Sequence, residues 1–245
     1  MTGKRESRGF TDLHQHVLWG MDDGPKTARQ MHAMLGQAVE DGIQRIAATP
    51  HAYPRTQPFD LELYRNRLDE ANAYCARRGW PLRLIEGCEI HYCDSVPDLL
   101  VAGKLPTLGG SNNALIEFDS DVELQQIAQA SDRLFRMGFR TVVAHVERCR
   151  NLLRAPRRAM ELREDYGLIY QMNCEAILLP LNFREQRFVR RMLRAQAIDV
   201  VATDAHDTRN RPTCMRNTYL ELCEEYGRAY TRRLLCLEDR EEAEH

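Results

Sequence analysis

The sequence predicts an α/β fold, a distorted (β/α)7 barrel of the TIM type, in a single domain spanning residues 1–245. Three observations predict it. Seven short, continuous apolar runs alternate with helical patterns, as in a parallel sheet with helical crossovers that bury both its faces. No tandem repeat, low-complexity block or linker divides the chain, and its length suits one barrel. An open doubly wound sheet would want a glycine-rich first turn for nucleotide phosphate; the chain has no G-x-G-x-x-G and no Walker loop.

The first strand is expected from Phe10 to His14, followed by a loop to about Lys26. Thr27 is a good N-cap, and Met31, Met34, Leu35, Ala38 and Val39 make a helical stripe that stops at Asp41-Gly42. Ile43 to Ala48 reads as a buried strand ending in Thr49-Pro50-His51. Asp60 caps a second helix with Leu63, Leu68, Ala71 and Tyr74 on one face, stopped by Gly79. Leu82 to Cys88 is the third strand, with Glu89 and His91 behind it. A short helix or turn over Pro97 to Ala102 and a loop over Leu105 to Asn113 lead to the fourth strand, Ala114 to Phe118. Helices over Val122 to Met137, Arg157 to Tyr166 and Phe183 to Ala195 separate the strands Thr141 to Ala144, Leu168 to Asn173 and Ile198 to Thr203. Helical stretches near Met215 to Tyr226 and Tyr230 to Leu237 close the fold, and residues 238–245 read as a frayed acidic tail.

Hydrophobic residues make up 43% of the chain, enough for a sizeable core, and the net charge is −2. No broad basic excess calls for nucleic acid as a partner, so none is expected. The basic clusters Arg154 to Arg158 and Arg187 to Arg194 lie on helical patterns and read as solvated faces. No run of about 18 apolar residues is present, so no membrane insertion is expected. Met1 to Gly9 is polar and charged, without the apolar region of a signal peptide. The eight cysteines form no C-x-x-C pair; they read as small core hydrophobes in a reducing, cytoplasmic setting.

The informative feature is where the polar residues fall. His14 and His16, His51, Glu89, Glu117, His145, Asp204 and His206 all lie at or just past the carboxyl ends of predicted strands. In a parallel barrel those ends surround one mouth, where active sites are built. His14 and His16 are two residues apart on a strand and share a face, and Asp204 and His206 repeat that spacing. The carboxylates of Asp22 and Asp23 return on a turn that Gly24 and Pro25 can close. Each residue alone has a plain explanation: a polar strand end, a half-buried Glu117 beside an arginine, a satisfied core His145. Together they make a cup rich in carboxylate and imidazole. Mixed nitrogen and oxygen donors suit Mn²⁺, Fe²⁺ or Zn²⁺ better than a structural zinc site. The candidates exceed what one ion can use, so two or three ions are expected.

The ordered motifs His14-x-His16, Thr49-Pro50-His51, Glu89, His145 and Asp204-x-His206 resemble the PHP (polymerase and histidinol phosphatase) superfamily. More closely, Asp22-Asp23-Gly24-Pro25, Ala48-Thr49-Pro50-His51, Gly87-Cys88-Glu89-Ile90, Leu115-Ile116-Glu117-Phe118, His145-Val146-Glu147-Arg148 and Asp204-Ala205-His206-Asp207-Thr208 resemble its CpsB/CapC-type branch. The resemblance runs from residue 12 to about residue 212. It implies the PHP variant of the barrel and a bacterial, manganese-dependent protein-tyrosine phosphatase tied to capsule and exopolysaccharide production. It further implies three metal positions: His14, His16, Glu89 and Asp204; Glu89 as a bridge with Glu117 and His145; and Asp23, His51 and His206. The match favours Asp23 over Asp22. Arg148 and Arg211 match arginines near the phosphate, a role that bidentate guanidinium groups suit.

The reaction implied is hydrolysis of a phosphomonoester by a metal-activated hydroxide, with His51 or His206 available as a general acid. None of the eight cysteines has an arginine six residues on, so the C-x₅-R thiolate loop of the common tyrosine phosphatases is absent. The expected partner is a phosphotyrosine protein, the tyrosine-rich tail of a bacterial tyrosine kinase. Two other readings stand beside this one: a PHP phosphatase for a small molecule such as histidinol phosphate, and a non-catalytic metal-binding regulatory subunit.

Overall fold

The structure, a computed structural model, describes residues 9–235; the expected acidic tail and the polar start of the chain lie outside them. Among the described residues nine strands occur, all paired in parallel: β1 (Phe10–Gln15), β2 (Ile43–Ala48), β3 (His51–Ala52), β4 (Arg83–Glu86), β5 (Glu89–His91), β6 (Asn113–Glu117), β7 (Arg140–Val143), β8 (Ile169–Asn173) and β9 (Val200–Ala202). They form two hydrogen-bonded sets, β1-β2-β4 and β3-β5-β6-β7-β8-β9.

The split explains why the sequence reads as seven strands. β2 and β3 lie on one run of chain, broken where Pro50 has no N–H to give the ladder. β4 and β5 lie on another, broken at Gly87-Cys88, so the expected strand from Leu82 to Cys88 ends early and a new one opens on Glu89. Gly87 is where two backbones come close: a Cβ there would sit 2.9 Å from Thr49 Cγ2. Beyond the breaks β3 pairs with β5, setting His51 opposite Glu89.

The curled sheet joins end to end at its carboxyl rim. Asp204 N–H donates to His14 O at 2.8 Å and His16 N–H to Ala205 O at 2.9 Å. Just below, the buried Asp12 carboxylate accepts the Thr203 N–H at 3.0 Å and the Thr203 hydroxyl at 2.5 Å. Burial pushes Asp12 up to about 6 against these hydrogen bonds.

The helices start where local chemistry says they should. Thr27 forms a capping box with Gln30 ahead of Ala28–Glu40, and Asp60 caps Leu61–Arg77. The helix Arg228–Leu235 begins two residues earlier than its expected Tyr230 start. The main core lies between sheet and helices, with Ile46, Ile90, Ile116 and Tyr170 meeting Met31, Leu35, Tyr64 and Phe188. A smaller cluster, including Leu13, Ala47, Leu115, Val142, Ile169 and Val200, fills the inside of the curl. That apolar plug leaves the carboxyl rim as the place for polar side chains.

Candidate metal centre

Six strand ends and two loops bring the expected residues to one point. His14 lies near the end of β1, where the register shifts between Asp12 and Gln15, and His16 lies just past it. His51 opens β3, Glu89 opens β5 and Glu117 ends β6. His145 follows β7 by two residues, and Asp204 follows β9 by two. Both have left-handed backbones, with φ of 31° and 53°, a conformation uncommon for residues other than glycine. The His145 N–H bond to Gln171 Oε1 (2.7 Å) and the Asp204 N–H bond to His14 O hold them there. Gly24 lets the Asp22-Asp23 turn press on β1: a Cβ at that position would lie 2.4 Å from His16 O.

Three groups of possible ligand atoms result. His14, His16, Glu89 and Asp204 form the first, all four buried. His51, Glu89 and Glu117 form a second, and His145 Nε2 joins it at 2.6 Å from Glu89 Oε1 and 3.7 Å from Glu117 Oε1. The third contains Asp23, His51 and His206, with His16 beside them. His51 faces both ways: its Nδ1 is 3.1 Å from Glu89 Oε2, and its Nε2 is 3.6 Å from Asp23 Oδ1. His206 Nε2 lies 3.3 Å from the same Asp23 oxygen.

This donor set fits metal ions. Glu89 Oε2 has His14 Nε2 at 3.1 Å, His16 Nε2 at 3.2 Å and His51 Nδ1 at 3.1 Å, yet it forms no hydrogen bond. His51 Nδ1 and His206 Nε2 are likewise buried without a hydrogen-bond partner. His14 Nε2 and His16 Nε2 stand 3.2 Å apart, converging on shared space. Such atoms are costly to leave unpaired unless a cation sits among them.

The electrostatics agree. Burial alone would raise the carboxyls of Glu89 and Asp204, but the facing imidazoles of His14 and His16 hold both well below their usual range. Burial and the nearby Glu89 charge push Glu117 up to about 7. Burial would lower His14 and His16, but the surrounding carboxylates raise both. Burial lowers His51 and His145, and burial with the neighbouring His16 brings His206 down to about 4.

Arg148 and Arg211 meet at the rim. Each places a terminal guanidinium nitrogen on Asp204 Oδ2, at 2.9 Å and 2.7 Å. Both side chains stay partly exposed, so they can reach an anion arriving from solvent. Tyr53, also partly exposed, packs its ring on His51 with centroids 5.1 Å apart and lies beside His91.

Sequence reasoning missed a supporting layer. Asp22 Oδ2 accepts from His16 Nδ1 at 2.6 Å, which turns His16 Nε2 toward the first group. Gln171 Oε1 accepts from His14 Nδ1 at 3.1 Å, and Gln171 Nε2 donates to Asn173 Oδ1 at 2.8 Å. Asn173 Nδ2 in turn donates to Asp204 Oδ2 at 2.8 Å. Gln171 and Asn173 are polar residues two apart in a buried strand, a signal the sequence carries. Burial raises Cys88 well above its usual range and Cys149 to about 12, which disfavours a thiolate at either.

A family model for capsular polysaccharide synthesis, CpsB/CapC, matches residues 10–241. The chain belongs to the CpsB/CapC family. The tyrosine-protein phosphatase CpsB of Streptococcus pneumoniae is 28% identical over 221 residues, covering 88% of this chain and 90% of that protein. The tyrosine-protein phosphatase YwqE of Bacillus subtilis is 29% identical over 216 residues, covering 88% and 85%. A solved structure from the work on YwqE and CpsB, described as unique metal-dependent tyrosine phosphatases, superposes with a TM-score of 0.83 at 28% identity, covering 90% of this chain and 89% of that one. The CpsB/CapC-type resemblance read from the motifs and the α/β barrel expectation therefore both hold.

Proposed function

We propose that this CpsB/CapC chain is a metal-dependent protein-tyrosine phosphatase that hydrolyses phosphotyrosine on a protein of capsule or exopolysaccharide production. The observation that carries the reading is Glu89 Oε2, set among three imidazole nitrogens at 3.1–3.2 Å with no hydrogen bond to any of them. The tyrosine-phosphatase names of the relatives support the substrate class.

In this reading His14, His16, Glu89 and Asp204 would hold one ion, Glu89 with Glu117 and His145 would hold a second, and Asp23, His51 and His206 would hold a third. Mixed imidazole and carboxylate donors suit Mn²⁺, Fe²⁺ or Zn²⁺, and Mn²⁺ is the ion that the CpsB/CapC resemblance implies. Ions held there supply positive charge for phosphate oxygens and a water of lowered pKa as nucleophile.

The protein's own groups do the rest. Arg148 and Arg211 grip the remaining phosphate oxygens and offset the charge that builds as the phenolate departs. Asp204 anchors both guanidinium groups. Tyr53 offers an aromatic face at the mouth for the substrate's phenyl ring. A phenolate leaves well without a strong acid. Burial keeps His51 and His206 largely neutral near pH 7, so their lone pairs suit an ion and a general-acid role is secondary. The phosphorylated tail of a tyrosine kinase is the partner we propose. No helix among the described residues is long and apolar enough to cross a membrane.

The test compares hydrolysis of a phosphotyrosine peptide and of histidinol phosphate by the Mn²⁺-loaded protein. We expect kcat/KM to favour the peptide. A preference of about a thousandfold for histidinol phosphate, about 4 kcal/mol of transition-state binding, would overturn the substrate assignment.

A further inference from the structure

The arginine clusters that the sequence presents as solvated helix faces do more than cover a surface. Arg150, Arg154, Arg184, Arg187, Arg190 and Arg191 are all exposed. Among the described residues none of the six makes an ion pair with a carboxylate, whereas their neighbours Arg157 and Arg194 are paired with Glu161 and Glu225. Glu185, the acid on the same helix, is buried and accepts the Leu181 N–H instead.

Five of these arginines line a groove of two adjoining hollows, which share Leu153, Arg154 and Arg184, between Arg150–Arg154 and Pro156 on one side and the helix Phe183–Arg194 on the other; Arg190 lines a third hollow along that helix. Its upper hollow, about 600 Å³, lies between Arg150, Arg154 and Arg184, with Leu153 and Phe183 as apolar wall. It continues past Pro156, Arg187 and Arg191 in a hollow of about 390 Å³. A further hollow of about 620 Å³ on the far side of Phe183 reaches Arg190. Phe183 is 90% exposed, and Leu179 and Leu181 before it are exposed too.

The groove starts beside the metal centre. Arg150 is two residues past Arg148, whose guanidinium meets Asp204. The short helix Cys174–Leu178 follows the carboxyl end of β8, at the rim where the centre lies, and leads into the segment carrying Leu179 and Leu181. The Phe183–Arg194 helix runs roughly 16 Å down from that rim, the span of about five extended residues.

Unpaired guanidinium groups beside apolar and aromatic walls fit one chemistry well: a dianionic phosphate on an aromatic ring. The number of arginines exceeds what one phosphate can engage. Resting on the phosphatase reading above, we propose that this groove is an exosite for further phosphotyrosines on the same polypeptide whose reacting phosphotyrosine occupies the metal centre. A concave, apolar-floored groove favours a peptide over the broad anionic surface of a membrane. Multiply phosphorylated tails then bind by avidity, and each hydrolysis weakens the hold on the product.

The test uses the Mn²⁺-loaded wild type and the triple variant Arg154→Glu, Arg187→Glu, Arg191→Glu, all exposed positions outside the centre. Two peptides are compared, one with a single phosphotyrosine and one with four. The variant should hydrolyse the first with kcat/KM within about twofold of wild type. Its KM for the second should rise about tenfold, a difference that shrinks in about 0.5 M salt. A matching triple lysine variant, which keeps the charge but not the bidentate grip, should raise KM for the second peptide by less than the glutamate variant does. Fluorescence anisotropy with the four-phosphotyrosine peptide reads binding without turnover, so a protein that hydrolyses neither peptide would sink the phosphatase reading while leaving the exosite open to measurement. Equal peptide affinity in wild type and glutamate variant would overturn the exosite. So would wild-type binding to phosphatidylserine vesicles that the variant loses while its peptide affinity holds.

Discussion

His16 donates its Nδ1–H to Asp22 Oδ2 across 2.6 Å, and the same oxygen accepts the backbone N–H of His51 at 2.9 Å. One carboxylate therefore fixes the tautomer of one candidate ligand and the backbone of another. Burial would raise Asp22, but the hydrogen bond and charge of His16 hold it at about 2. Asp22→Ala should weaken Mn²⁺ binding about 10–100-fold, the usual cost of losing a carboxylate behind a metal-bound histidine. The Mn²⁺ concentration for half-maximal activity measures this; an unchanged value would show that His16 needs no such partner.

Gln171 acts in the same way on the opposite wall, where its Oε1 takes both the His14 ring and the His145 backbone. Gln171→Met keeps the volume and removes both bonds. The left-handed His145 should relax, and kcat/KM should fall about 10–100-fold. Circular dichroism should remain unchanged, which separates misplacement from unfolding.

Asp12 joins the first strand to the end of the last through Thr203. Asp12→Ala leaves a buried N–H and hydroxyl without their acceptor, at a cost of about 2–3 kcal/mol. Urea unfolding of the metal-free protein reads this; a loss under about 0.5 kcal/mol would mean that the seam is held by its backbone bonds alone.

Arg148 and Arg211 share Asp204 Oδ2 and face solvent. Arg148→Ala or Arg211→Ala should lower kcat/KM for a phosphotyrosine peptide about a hundredfold, with metal content by elemental analysis unchanged. Arg148→Lys should recover little, because a lysine cannot grip two oxygens from one plane.

Much of this was legible in the sequence because parallel barrels place chemistry at strand ends. His14, His51, Glu89, His145 and Asp204 stood out as polar residues terminating apolar runs, and the structure gathers them. The breaks in the second and third strands were not legible: Pro50 reads as following an ordinary strand end and Gly87 as part of the third strand, and only tertiary pairing shows that β3 and β5 resume the sheet beyond them. Asp22 and Asp23 could not be separated by spacing, since neighbours on a turn point apart in ways that depend on its geometry. Here Asp23 faces His51 and His206 while Asp22 stands behind His16. Gln171 and Asn173 carry only the weaker signal of two same-face polar residues in a buried strand, since a neutral amide has no distinctive charge.

The most direct measurement is phosphotyrosine-peptide hydrolysis by protein stripped with EDTA and then reloaded with Mn²⁺, run beside His16→Ala. We expect no turnover in stripped protein, recovery on reloading, and loss of both bound metal and activity in a folded His16→Ala variant. Equal turnover with and without metal, or full activity in His16→Ala with its metal still bound, would contradict it.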